Sequence, residues 1–104
     1  MTQPTDGDAE LSRAVVCYTQ RGIARSPRAD AGAVIAEFGA ERGSALAVEV
    51  TELFREADSL APVIPPLPLA EAGDEVAMIM AERHPELTAE AVSAIRWKWT
   101  FDWR

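Results

Sequence analysis

The sequence predicts an all-α domain: about five short helices as stacked helical hairpins, with an aromatic C-terminal tail that is extended or packs back on the core. Three observations carry this. Apolar residues recur at helical spacing, most cleanly at Leu46, Val50, Leu53, Phe54 and Ala57, while Glu49, Glu52 and Glu56 mark a different face. Residues that start or stop helices punctuate the chain at intervals suited to short helices. Finally, 104 residues that are 48% apolar and 26% charged have the composition of one compact domain spanning 1–104. A domain of this size buries roughly 65% of the surface of its unfolded chain, enough to hold together without metal or disulfide.

A flexible N-terminus is expected over residues 1–8. The first helix is expected from near Asp8 to about Arg21, with Leu11, Ala14, Val15 and Tyr18 on its apolar face and Gly22 as its stop. Ser26-Pro27 has the form of a cap followed by a first-turn proline, so a second helix is placed after it, burying Val34, Ile35 and Phe38 and ending at Gly43. The third helix, from Ser44, carries the stripe described above. In the stretch 60–69 four prolines remove donors and disfavour helix, yet Val63, Ile64, Leu67 and Leu69 make it too apolar for a free linker. It is predicted to run along the core as a rigid crossover.

Asp74 is the expected cap of a fourth helix, with Val76, Ile79 and Met80 inward and Arg83 and His84 near its negative end, before Pro85. Thr88 caps a fifth helix, with Leu87 and Val92 placed as a hydrophobic staple. In the tail, 97–104, Trp97, Trp99, Phe101 and Trp103 alternate with polar residues, which favours an extended segment over a continued helix. Each such ring offers on the order of 150–250 Å² of burial, so the tail must pack somewhere. An echo of Ala40-Glu41-Arg42, Leu46 and Glu49 recurs 41 residues later in Ala81-Glu82-Arg83, Leu87 and Glu90, a period suited to helical hairpins.

The net charge is −7, unevenly placed. Residues 13–28 carry Arg13, Arg21, Arg25 and Arg28 with no acid, whereas thirteen acids between 30 and 90 face only three arginines. Such a surface repels phosphate backbones and anionic lipid, so neither nucleic acid nor membrane is an expected partner. The four arginines are expected to pair with acidic helices of the same domain. Cys17 stands alone, as a small core residue of a chain kept in a reducing compartment. The start of the chain lacks the basic and apolar regions of an export signal, and a cytoplasmic location is expected.

Chemistry is sparse. His84, the one histidine, stands two residues from Glu82 rather than in a Glu-x-x-His pair, so no metal site is expected and His84 reads as a helix-end residue. No Gly-rich phosphate loop or nucleophile elbow is present. The expected class is not an enzyme, and no cofactor is implied. Clustered acids steer a basic partner and aromatic anchors supply the dry centre of an interface, which points to a small acidic protein-binding module. The type expected is an inhibitor, such as an immunity protein or antitoxin neutralising a basic toxin. Its contact residues are expected among Glu49, Glu52, Glu56 and Asp58, with Trp97, Trp99 and Trp103 as anchors or, for the first two, as core. Two alternatives are a ribosomal-peptide precursor whose Trp-rich tail is modified, and a small transcriptional regulator.

Overall fold

A computed structural model describes residues 6–61 and 66–103, with side chains from Ala9 onward. Five helices are formed: α1 (Asp6–Thr19), α2 (Ala31–Phe38), α3 (Ala40–Ser59), α4 (Leu69–Arg83) and α5 (Ala89–Asp102). No strand occurs among the described residues, so the domain is all-α. None of these helices is long and apolar enough to cross a membrane.

Two helical hairpins flank α1. In the first, α2 and α3 are joined by Gly39 alone, whose φ of 91° is open to glycine and whose N–H donates to the Ile35 carbonyl. The helices cross where Gly43 meets α2: a β-carbon there would stand 2.5 Å from Ile35 Cα. In the second hairpin α4 runs antiparallel to α5, with Gly73 against the Thr100 methyl and Asp74 paired to Arg96 at 2.8 Å. Helix α1 lies between the hairpins and contacts α2, α3 and α5. It is parallel to α3, as the Glu10–Arg42 pair and the Tyr18–Phe54 stack at its two ends indicate. It is also parallel to α5, since the buried Ser12 hydroxyl accepts from the Thr88 N–H at 3.0 Å and Arg21 covers Trp97 at the other end.

Between these layers Val15, Val34, Leu46, Val50, Val76, Met80 and Ile95 are fully buried. Each removes a side chain from water for about 1.5–3 kcal/mol. Thr19, the one fully buried polar side chain of the described core, returns its hydroxyl to the Val15 and Val16 carbonyls.

Several boundaries differ from the expected ones, each for a local reason. Helix α1 begins at Asp6, inside the segment expected to be flexible, while residues 1–5 lie outside the described residues. It stops at Thr19 because Gln20 turns left-handed (φ 59°), its N–H donating to the Cys17 carbonyl and that of Arg21 to Val16. Ser26-Pro27 starts no helix: Arg28 and Asp30 donate N–H groups back to Thr19 and Tyr18, and Asp30 caps α2 by accepting from Ala33 at 2.9 Å. Helix α3 begins at Ala40, with Gly43 inside it rather than before it. Helix α4 begins at Leu69, so Asp74 is an exposed interior residue paired to Arg96 and not a cap.

The crossover meets the core only at its start among the described residues, where Leu60 is buried and Ala61 packs against the core; Leu67 and Leu69 at its other end are exposed, and Val63 and Ile64 lie outside the described residues. The tail is not extended: α5 continues through Asp102. The 41-residue echo is no structural repeat, since its first copy lies within α3 and its second spans the α4–α5 connection. Cys17 is half-buried rather than in the core. The Thr88 cap is as expected, its hydroxyl accepting from Ala91 N–H, and His84 ends α4.

Candidate functional site

The acidic face of α3 is exposed because its opposite face is used up by Leu46, Val50, Leu53 and Ala57 in the core. Glu49, Glu52 and Glu56 follow one another at intervals of three and four and so line one strip of the helix. A groove of about 520 Å³ runs beside that strip. Its floor is apolar, from Leu11 of α1 and Leu53 of α3, and its lip carries Val48, which is 63% exposed. The far wall is the connection after α4, which brings in His84 and Glu86.

The carboxylates of this groove differ in state. Among the described residues no cation pairs with Glu49. Glu52 faces Arg55 at 2.8 Å, but both side chains are more than half exposed, so the pair holds little and can exchange partners. Glu56 accepts from Arg83 at 3.1 Å and meets His84 Nε2 at 2.8 Å. Burial pushes its carboxyl up, and the hydrogen bonds from His84 and Arg83 outweigh that and hold it below the ordinary value. The other ring nitrogen of His84 lies 3.4 Å from Glu86 Oε1, and the 2.8 Å contact of Nε2 with Glu56 ties the groove wall to α3. Ser59, the one hydroxyl on the rim among the described residues, donates to the Glu56 carbonyl at 2.6 Å. Among the described residues no group of three or more His, Cys, Asp or Glu side chains could hold a metal ion.

The remaining expected contact residues are elsewhere. Asp58 points away from the groove and accepts from the Trp103 indole N–H at 3.2 Å. Trp97 is half-buried beneath the Arg21 guanidinium, 5.4 Å from the ring centre. Trp99 is 4% exposed and belongs to the core, where its indole N–H finds no acceptor among the described residues. Trp103, 48% exposed, stacks on Trp99 with ring centres 5.9 Å apart. The tail therefore seals α5 against α1 and α3 and does not reach the groove.

Sequence reasoning missed Glu86 and the apolar lip. Glu86 enters through the α4–α5 connection, which no periodicity reveals, but Val48 was visible as an apolar residue on a polar face. It missed, too, the state of the arginines. Arg13 pairs with Glu37 at 3.2 Å, as expected. Arg21, Arg25 and Arg28 make no ion pair among the described residues. They follow α1 in a loop held by hydrogen bonds to its terminal carbonyls, and between them Ile23 is 81% exposed. A second cleft, about 470 Å³, lies at the base of this loop between Val16, Cys17 and Phe38. Burial first, then the carboxylates of Glu37 and Asp30, push the Cys17 thiol up, so it faces this cleft as a neutral wall.

Comparison with protein-family models, with curated proteins and with solved structures finds no match for the chain.

Proposed function

We propose that the chain is a small acidic binding module that seats a cationic segment of a protein partner in the α3 groove, in the manner of an inhibitor such as an immunity protein or antitoxin. The observation that supports this is the groove itself, in which Glu49, Glu52 and Glu86 frame an apolar floor of Leu11 and Leu53. An arginine or lysine fits such a place in two parts: its methylene stem lies along Leu53 and Val48, and its charged head meets Glu49. The contact of His84 with Glu56 ties the wall to α3 before the partner arrives, which lowers the cost of ordering it. The precursor reading draws no support from the tail, since Trp99 is buried and Trp103 is packed on it. The regulator reading draws none from α2, which has no basic residue.

The test is a titration followed by fluorescence anisotropy, using a labelled helical peptide of alternating arginine and leucine faces and its glutamate counterpart. The arginine peptide is expected to bind in a salt-dependent way, with affinity about tenfold lower for the Glu49→Lys/Glu52→Lys variant. Equal binding to the variant, or preference for the glutamate peptide, would contradict the proposal.

A further inference from the structure

The basic loop and the acidic groove are complementary surfaces on one chain. The loop is unusual in a molecule with an excess of seven negative charges, because Arg21, Arg25 and Arg28 all find no carboxylate among the described residues while Glu49 finds no cation. At its centre Ile23 is the most exposed large apolar side chain described, at 81%. An isolated apolar residue ringed by arginines has the composition of an interface centre and rim. Its complement is an apolar hollow ringed by carboxylates, and the α3 groove is that, with Leu11 and Leu53 below and Glu49, Glu52 and Glu86 around.

We infer that loop 20–29 of one copy docks into the α3 groove of a second copy, with Ile23 on the Leu11–Leu53 floor and the exposed Arg25 and Arg28 against Glu49, Glu52 and Glu86. This rests on the reading of the groove as a seat for cationic polypeptide and names this chain as one such occupant. Loop and groove share no residue, so a copy can give its loop and receive another at once. The contact is heterologous and forms rings or open chains rather than a closed pair. A foreign basic partner that takes the groove then displaces the neighbouring copy, so the assembly holds the groove closed to weaker cationic segments.

Two variants test it, followed by sedimentation velocity at about 0.1 M salt, where a screening length of about 10 Å damps the repulsion between net-negative bodies but leaves contacting charges. Ile23→Asp removes the knob and leaves the groove; Glu49→Arg/Glu52→Arg spoils the groove and leaves the knob. The wild-type chain is expected to show a mass that rises with concentration, each variant alone to stay monomeric, and an equimolar mixture to form a discrete dimer from one intact knob and one intact groove. A wild-type chain monomeric at all concentrations, or a mixture that stays monomeric while the wild type assembles, overturns the inference. Circular dichroism of both variants guards against misfolding. Binding of the arginine peptide by the wild-type chain separates the outcomes: a wild-type chain that binds the peptide but does not self-assemble overturns only this inference, whereas a folded wild-type chain that does not bind it removes the groove reading as well.

Discussion

Gly43 decides how closely α2 and α3 approach. A methyl group there would come within 2.5 Å of Ile35 Cα and 2.9 Å of the Val34 carbonyl, both backbone atoms that cannot swing aside. Alanine gains about 1 kcal/mol over glycine in helix propensity, but forcing two backbones apart costs about 1–3 kcal/mol. Gly43→Ala is therefore expected to lower stability, read as a drop in the urea midpoint at constant slope; an unchanged or raised midpoint would mean that the crossing has slack. Glu56 makes a different kind of prediction. Its carboxyl lies below the ordinary value in the folded state, so it binds protons less readily there than in the unfolded chain. The stability it adds is complete above the unfolded value and is lost as pH falls through the folded one. Between about pH 5 and about pH 3, Glu56→Gln is expected to show a shallower loss of melting temperature than the wild type, and parallel curves would show that the His84 and Arg83 bonds contribute nothing.

At the scale of elements, α5 explains both what the sequence disclosed and what it hid. Its start was legible because the Thr88 cap is chemistry between near neighbours, side chain to backbone three residues on. Its end was not. Rings at every second position of a helix fall on different faces, which looks like a strand until the faces are seen to be occupied: Trp97 lies under Arg21 of the loop after α1, Trp99 enters the core, and Trp103 reaches Asp58 of α3. A helix covered by α1, α3 and α4 loses the one-sided pattern from which helices are read. For the same reason Gly43 looked like a breaker and Asp74 like a cap, since the partners that give them other work, Ile35 and Arg96, are supplied by other helices. Of the candidate site, the three glutamates of α3 were legible from their spacing, whereas Glu86 depended on how the hairpins stack. Since the tail is part of α5, a chain ending after Arg96 is expected to lose cooperative thermal unfolding and most near-ultraviolet dichroism. Trp103→Ala, at a half-exposed ring, is expected to cost much less than the about 3–5 kcal/mol that follows removing a buried aromatic such as Trp99. A truncated chain that melts like the full one would sever the tail from the core.

Across the whole molecule, the charge distribution separates two roles that composition alone confuses, solubility and steering. The described domain measures 41 × 34 × 22 Å, a few screening lengths at physiological salt, so acids away from the groove act on an approaching partner but not on a seated one. Exposed carboxylates such as Glu71 and Glu82 line neither described groove. If the acidic surface steers a cationic partner, Glu71→Gln/Glu82→Gln slows association of the arginine peptide while leaving its dissociation rate unchanged. Glu49→Lys, which lies in the groove, is expected instead to speed dissociation, because the seated charge then meets repulsion at contact. Raising salt from about 0.05 M to about 0.5 M should remove most of the association difference between wild type and the distant double variant, since the field that distinguishes them no longer reaches past the surface. Stopped-flow rates at both salts decide it: a distant double variant with the wild-type association rate at low salt would leave the excess of acids with solubility as its only work, and confine recognition to the few carboxylates around Leu11 and Leu53.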